Sequence, residues 1–269
     1  MAYEFDVGAV HDKIIEWTRE WFKDKKGPAV LGISGGKDST VTAALLAEAL
    51  GPERVIGVQM PNGEQPDITD SDKVFEVLGI RKMTVNIKDA YIALKGAIAV
   101  NYTDDVSEGK RSNKWPPLFT TNTPARLRMT TLYGIAAMEN GFVVNTCNLS
   151  EDVVGYSTKY GDCAGDFSLL NKLTKTEVVE LGDYMKLPQE LVHKTPSDGM
   201  CGKSDEDNMG FAYETLDKWI RDGLRPIAAE TFEKIRKLAM NPNTKLKMVP
   251  MATPDIDLPN LLGFEVYEI

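Results

Sequence analysis

The run Gly32-Ile33-Ser34-Gly35-Gly36-Lys37-Asp38-Ser39 gathers the residue types that hold an anion. Glycines let backbone amides approach a ligand and take positive φ, and a helix opening just after them presents unpaired N–H groups with a dipole that favours negative charge. Ser34 and Ser39 add hydroxyl donors. The run is not a Walker A loop, because Asp38 follows Gly36-Lys37 where serine or threonine would be needed to hold magnesium. A carboxylate facing phosphate repels it unless a cation intervenes, so Asp38 points to a bound metal. A plain strand-to-helix turn accounts for a Gly-Gly pair, but not for the whole string.

A second concentration of chemistry runs from Leu149 to Asp166 and on to Leu173-Thr174-Lys175. Glu151 follows the apolar run Phe142 to Cys147, which places it at the same sheet edge as Asp38, where two carboxylates can share a magnesium ion. Thr174 and Glu177 have the spacing of a capping box, which starts a helix without using Lys175. The glycine-bearing run from Tyr160 to Gly165 can close over a reactive intermediate and exclude water. The two histidines, His11 and His193, stand in no motif with a nucleophile, which suits chemistry without a covalent enzyme intermediate.

The elements that must position these groups are legible from periodicity. Val10, Ile14, Trp17, Trp21 and Phe22 recur at helical spacing, and Gly27-Pro28 ends that helix before the strand AVLGIS. A helix is expected from Asp38 to Leu50, a strand from Arg54 to Met60, a helix from Thr69 to Leu78 and a strand from Lys82 to Ile87. After an irregular stretch from about Asn101 to Asn122, Pro124 suits the first turn of a helix that runs to Asn140, followed by the strand Phe142 to Cys147. This alternation predicts an α/β fold with a parallel sheet, helices on both faces and ligands outside the carboxyl ends of the strands.

The chain has 269 residues, 42% hydrophobic and 26% charged, with no linker, repeat or low-complexity run, so a single domain over 1–269 is expected. A net charge of −9 argues against a surface built for nucleic acid. The acidic N-terminus lacks the features of a signal peptide, and the longest apolar stretch, Ile92 to Val100, is interrupted by Lys95. No membrane partner and a cytoplasmic location are therefore expected. Cys147, Cys163 and Cys201 are odd in number and lack CxxC spacing, so neither a disulfide framework nor a thiolate zinc site is indicated.

The Ser-Gly-Gly-Lys-Asp-Ser string resembles the SGGxDS pyrophosphate loop of the ATP pyrophosphatase superfamily, whose members cleave ATP between the α and β phosphates. The superfamily includes NAD, GMP and asparagine synthetases and tRNA thiolation enzymes, so the loop alone leaves the substrate open. The run Glu151, Gly155, Thr158-Lys159-Tyr160-Gly161-Asp162, Asp166 and Leu173-Thr174-Lys175, with Ala125-Arg126-Leu127-Arg128-Met129 upstream, is similar to the bacterial ammonia-dependent NAD synthetases over roughly residues 28 to 220. The resemblance implies a Rossmann-like three-layer sandwich of the adenine nucleotide alpha hydrolase type. It implies ATP contacts at Gly32, Ile33, Ser34, Gly35, Gly36, Lys37, Asp38, Ser39, Thr146, Lys175 and Ser197, and a magnesium ion between Asp38 and Glu151. Deamido-NAD contacts carry over to Arg126, Lys159 and Asp166.

The reaction so implied has two steps: the nicotinate carboxylate attacks the α-phosphorus to give an adenylate and pyrophosphate, and ammonia then displaces AMP. Asp38 and Lys175 act on the first step, and Asp162 is the candidate to take a proton from the attacking amine. Ammonia rather than glutamine is expected because the matched portion leaves no room for a glutaminase domain. The family works as a homodimer with its dinucleotide site at the interface. One departure lies in the tail, where the family's His-Lys pair is replaced by Lys245-Leu246, so that Lys245 or Lys247 must supply the charge for that contact. A second is the segment from about Thr103 to Asn122, longer and richer in tryptophan and proline than the family suggests. A tRNA-modifying relative is opposed by the acidic charge and the lack of any RNA-binding motif. A non-catalytic nucleotide sensor would bind without turnover and without needing Asp38 or Glu151.

Overall fold

In the computed structural model of the protein, which describes residues 3–65, 68–102, 114–194, 205–224, 226, 228–241 and 251–261, the short apolar runs become five parallel strands. In chain order the elements are α1 (Val7–Trp21), β1 (Ala29–Gly32), α2 (Lys37–Leu50), β2 (Val55–Gln59), α3 (Ile68–Leu78), β3 (Arg81–Thr84), α4 (Lys88–Ala99) and α5 (Pro117–Glu139). There follow β4 (Phe142–Asn145), α6 (Leu149–Val154), β5 (Phe167–Ser168), α7 (Lys175–Tyr184), α8 (Gln189–Val192), α9 (Asp205–Met209), α10 (Tyr213–Asp222) and α11 (Ala229–Ala239).

The sheet order is β3-β2-β1-β4-β5. Successive strands move outward from β1 on one side, then jump back to β4 on the other, so the order reverses between β1 and β4. In open parallel sheets this switch leaves a crevice outside the strand carboxyl ends, where ligands bind. Asp38 follows β1 and Glu151 follows β4, so both face it from the start.

Side chains alternate across each strand, and both faces are covered. Ala29, Leu31, Val55 and Val144 pack with Ile14 of α1, Leu45 of α2 and Leu181 of α7. Val30, Ile56, Val58 and Val143 pack with Met129, Leu132 and Ala136 of α5 on the opposite face. The result is the expected three-layer arrangement. A third cluster joins Leu149 and Val153 of α6 to Leu216, Trp219 and Ile220 of α10 and Ile235 of α11. Each such large apolar side chain contributes about 1.5–3 kcal/mol on full burial, so α10 is firmly docked on the short helix carrying Glu151.

The sequence expectations for the first three strands and their helices hold to within a few residues. The third strand is shorter than expected, although Val85 and Ile87 still donate to Gln59 and Pro61 at 2.9 Å each, prolonging the ladder. The start of the helix before β4 needs correction: it begins at Pro117, with Pro124 inside it and not in its first turn. Two prolines competed for that position, and Pro117, behind the extended Pro116, takes it. Helix α4 and strand β5 were not expected. β5 has only two residues, too few for any periodicity, and is defined by its pairing with β4.

Candidate active site

The glycine loop is built by crowding. Gly35 has φ of +78°, and a Cβ there would lie 2.7 Å from the backbone nitrogen of Ser71, so both its conformation and its surroundings exclude other residues. Gly36 then caps α2 in an extended conformation with no side-chain cap, leaving the first amides of the helix for a ligand. The serines brace the turn. Ser34 Oγ accepts from the Gly36 amide at 3.2 Å and lies 3.1 Å from Ser39 Oγ, which is 3.1 Å from the Gly36 carbonyl. Lys37, 8% exposed, has its pKa lowered by burial and by the charge of Lys175, since both cations address the same region.

Glu151 is placed by a capping box. Asn148 caps α6, its side-chain oxygen accepting from the Glu151 amide at 3.1 Å while Glu151 Oε2 accepts from the Asn148 amide at 3.3 Å. The other carboxylate oxygen of Glu151 lies 2.7 Å from Lys175 Nζ. Asp38 reaches the same ammonium: its Oδ2 accepts from Lys175 Nζ at 2.7 Å and its Oδ1 from Asn148 Nδ2 at 2.9 Å. Thus the acid after β1, the acid after β4 and the lysine opening α7 meet at one point. All three are largely shielded, with side-chain exposures of 18%, 13% and 6%. Burial pushes the Glu151 carboxyl up to about 7, with the charge of Asp38 adding and that of Lys175 opposing. Burial disfavours the Lys175 ammonium, but the two carboxylates outweigh it and hold its pKa above the usual lysine value.

Lys175 owes its position to the second capping box, Thr174 with Glu177, as the sequence suggested. Its backbone amide also donates to Ser150 Oγ at 2.9 Å. Ser150 Oγ in turn donates to Asp217 of α10, whose other oxygen accepts from the Thr176 amide and hydroxyl at 2.9 Å each. One turn earlier on α10, the Tyr213 ring lies 5.1 Å from Lys175 Nζ, a cation–π distance. Tyr213 is 3% exposed, and its hydroxyl has no hydrogen-bond partner among the described residues.

The other expected contacts form a second group. Arg126, exposed on α5, donates from Nε to the Lys159 carbonyl at 3.1 Å, so these two are joined through the backbone. Asp162 is exposed and accepts the Thr158 amide at 2.9 Å, while its carbonyl accepts from Asn145 Nδ2 at 2.9 Å. Gly165 packs against the backbone of Asn145, where a Cβ would lie 2.8 Å from the amide nitrogen. Asn145, at the end of β4, therefore seats the 158–165 loop over the strand ends. Asp166 spends one carboxylate oxygen on the Val143 amide at 2.7 Å. Thr146 is half-buried at the strand exit. Ser197 and Lys245 lie outside the described residues, as do Cys201, Lys247 and most of the Thr103–Asn122 segment.

Sequence reasoning missed Asn148, Ser150, Tyr213 and Asp217. Asn148 was findable, since Asn148 and Glu151 have the capping-box spacing already recognised at Thr174. Asp217 and Tyr213 share the apolar face of α10, a local sign of burial, but their partners lie across the fold and were not legible.

The donor set suits a hard divalent ion. Asp38 and Glu151 offer carboxylate oxygens to one point, and among the described residues no group of three or more His, Cys, Asp or Glu forms a self-sufficient metal cage. Magnesium is commonly held this way, by one or two carboxylates with substrate phosphates and water completing the shell. Among the described residues no helix is long and apolar enough to cross a membrane.

The profile of the NAD synthase family matches residues 11–252. The chain is 35% identical over 255 residues to the NH(3)-dependent NAD(+) synthetase of Syntrophomonas wolfei, covering 94% of this chain and 98% of that one. It is 34% identical over 251 residues to the enzyme of the same description from Pyrococcus furiosus, covering 88% and 93%. Among solved structures, NMN synthetase from Francisella tularensis superposes with a TM-score of 0.79 at 30% identity, covering 93% of this chain and 99% of that one. NH3-dependent NAD synthetase from Campylobacter jejuni superposes with a TM-score of 0.69 at 25% identity, covering 93% and 100%.

Proposed function

The chain belongs to the NAD synthase family and is a carbon–nitrogen ligase, and from that premise we propose that it amidates deamido-NAD with ammonia, cleaving ATP to AMP and pyrophosphate. The observation that carries this reading is the meeting of Asp38, Glu151 and Lys175 beside the open amides of α2. Such a point suits a triphosphate and its counter-ion.

In this reading the Gly32–Ser39 loop binds the pyrophosphate part of ATP through the α2 amides and the Ser34 and Ser39 hydroxyls. Asp38 and Glu151 would hold magnesium, which when bound neutralises phosphate charge. Lys175 turns its ammonium from the carboxylates to the α-phosphate, stabilising charge as the nicotinate carboxylate attacks and pyrophosphate leaves. Lys37 supports the departing group. Thr146 and Ser197 contact ATP, while Arg126, Lys159, Asp166 and Lys245 hold the pyridine dinucleotide. The 158–165 loop keeps water from the adenylate, and Asp162 takes the proton released when ammonia attacks the acyl carbon and AMP departs.

The described chain works as one catalytic domain, its three apolar clusters all meeting around the sheet or the site helices. We place it in the cytoplasm, in keeping with the buried Cys147 and Cys163, whose thiols donate to the Asp162 and Thr158 carbonyls and form no disulfide among the described residues. A homodimer is supported by α4, which has no buried residue, and by the exposed Ile92, Val100, Leu118 and Met138 on α4, its end and α5.

A second reading, amidation of nicotinate mononucleotide, is favoured by the likeness to the NMN synthetase of Francisella tularensis and by the Lys245-Leu246 departure in the tail. Incubation with ATP, magnesium and ammonium, with deamido-NAD or nicotinate mononucleotide, tests both. Equal amounts of AMP, pyrophosphate and NAD support the first reading, and preferential turnover of the mononucleotide replaces it with the second. ATP cleavage with neither would overturn both.

A further inference from the structure

Three helix starts carry the charged groups of this site, and one buried carboxylate ties two of them together. Asp217 is 3% exposed on α10. One of its oxygens receives the Ser150 hydroxyl, and Ser150 immediately precedes Glu151 in the first turn of α6. Its other oxygen receives the Thr176 amide and hydroxyl, each at 2.9 Å, in the first turn of α7 directly after Lys175. Ser150 closes the circuit by accepting the Lys175 amide at 2.9 Å. A negative charge at two helix N-termini is electrostatically well placed. Its cost is that of a buried charge met by hydrogen bonds and, among the described residues, by no ion pair. An uncharged residue would fill this space more cheaply in terms of stability, so the carboxylate needs another explanation.

We propose that Asp217 is a positioning residue that acts through Ser150, locking the start of α6 to the start of α7 so that Glu151 and Lys175 stay in register across the crevice. The proposal rests on the reading of Glu151 and Lys175 as the nucleotide-activating pair. Their side chains come from separate helices, and the 2.7 Å contact between them depends on the relative placement of the two helix starts. The backbones of Glu151 and Lys175 each lie one residue or less from a group bonded in the Asp217 network. Tyr213, one turn before Asp217 on the same face of α10, sets the Lys175 ammonium against its ring. Helix α10 is itself held by the Trp219 and Ile220 packing, so it acts as a rigid support for the pair.

The test uses Asp217→Asn, Ser150→Ala and the double variant in the full-length enzyme, below each melting transition. Asn cannot accept at every position the carboxylate serves, and Ala removes the hydroxyl link while leaving the carboxylate. Each single variant should lower kcat at least about tenfold with KM for ATP changed less than about threefold, as outer-shell partners commonly do. The double variant should be no slower than the slower single, because both break one network. Phe22→Leu, in the aromatic cluster with Trp21 and Phe142 at the start of β4, should lower the melting temperature and leave kcat near normal.

A second measurement does not depend on turnover. Competitive acylation with acetic anhydride, read by mass spectrometry, should show Lys175 in Asp217→Asn about fivefold more reactive than in the native protein while Lys37 is unchanged, as local and not global loosening requires. Native kcat in Asp217→Asn, or Lys37 and Lys175 rising together, would overturn the proposal. A native enzyme without ligase turnover would defeat the reaction assigned above, and the labelling would still decide the role of Asp217.

Discussion

Asp38 and Lys175 stand 137 residues apart in sequence and meet at 2.7 Å, at the point where the parallel sheet reverses its order. Glu151 joins them from a third element, so two carboxylates share one ammonium in a largely buried setting. Removing that cation leaves two like charges facing each other. Lys175→Met should therefore lower kcat at least about a hundredfold and destabilise the nucleotide-free protein by about 3–5 kcal/mol. Urea unfolding with and without magnesium checks the second part, and magnesium should restore more stability to the variant than to the native protein. Equal magnesium effects in the two proteins would count against the shared-cation arrangement.

In the proposed reaction Asp162 serves the second half only. It sits in the 158–165 loop seated by Asn145, with its carboxylate bonded to the Thr158 amide. Asp162→Asn should spare pyrophosphate release in a single turnover and slow amide formation, measured by rapid quench. Equal loss in both half-reactions would remove its assigned proton role.

Burial raises the Asp217 carboxyl from 3.8 to about 6, against the opposing hydrogen bonds of Ser150 and Thr176. The folded state therefore holds this proton more tightly than the unfolded chain between those values, and the stabilising contribution, complete below pH 3.8, is lost as pH rises to about 6. The shift corresponds to about 3 kcal/mol at roughly 1.4 kcal/mol per unit. Relative to Asp217→Asn, the native protein should lose stability by that order between pH 4 and 6 in denaturant titrations. A gap between the two that stays constant with pH would contradict the assignment.

Arg221 braces the start of α7 through Glu177, the capping partner of Thr174. Its guanidinium pairs with Glu177 through two nitrogens and donates to the carbonyls of Pro259 and Lys172, and the Tyr3 hydroxyl shares Glu177 at 2.6 Å. Arg221 and Glu177 side chains are 4% and 3% exposed, so removing one partner strands a buried charge. Arg221→Met should cost about 3–5 kcal/mol and lower the melting temperature by roughly 6–20 °C for a chain of this size.

The readable part of this site was the part carried by strand exits. The apolar runs before Asp38 and Glu151 predicted two strand ends, and the reversal of sheet order brings those ends together. Lys175 was legible through the resemblance carried by Leu173-Thr174-Lys175, while the capping box marked only where its helix begins. Asp217 was not, because its role arises from Ser150, 67 residues away, although its place between Tyr213 and Ile220 on the apolar face of α10 marks it as buried. The start of α5 was misread for a different reason, since Pro117 and Pro124 both suit a first turn and only packing chooses between them. β5 exists through its two pairings with β4 and could not be read from two residues of sequence.

The account depends most on Asp38 and Glu151 acting on one divalent ion held against a nucleoside triphosphate. Titrating manganese into the enzyme with a non-cleavable α,β-methylene analogue of ATP, followed by electron paramagnetic resonance, measures this directly. The native protein should take up an ion in the presence of the analogue, and Asp38→Asn and Glu151→Gln should each weaken that uptake at least about tenfold, as loss of one of two carboxylate ligands requires. Native affinity in either variant would contradict the shared site.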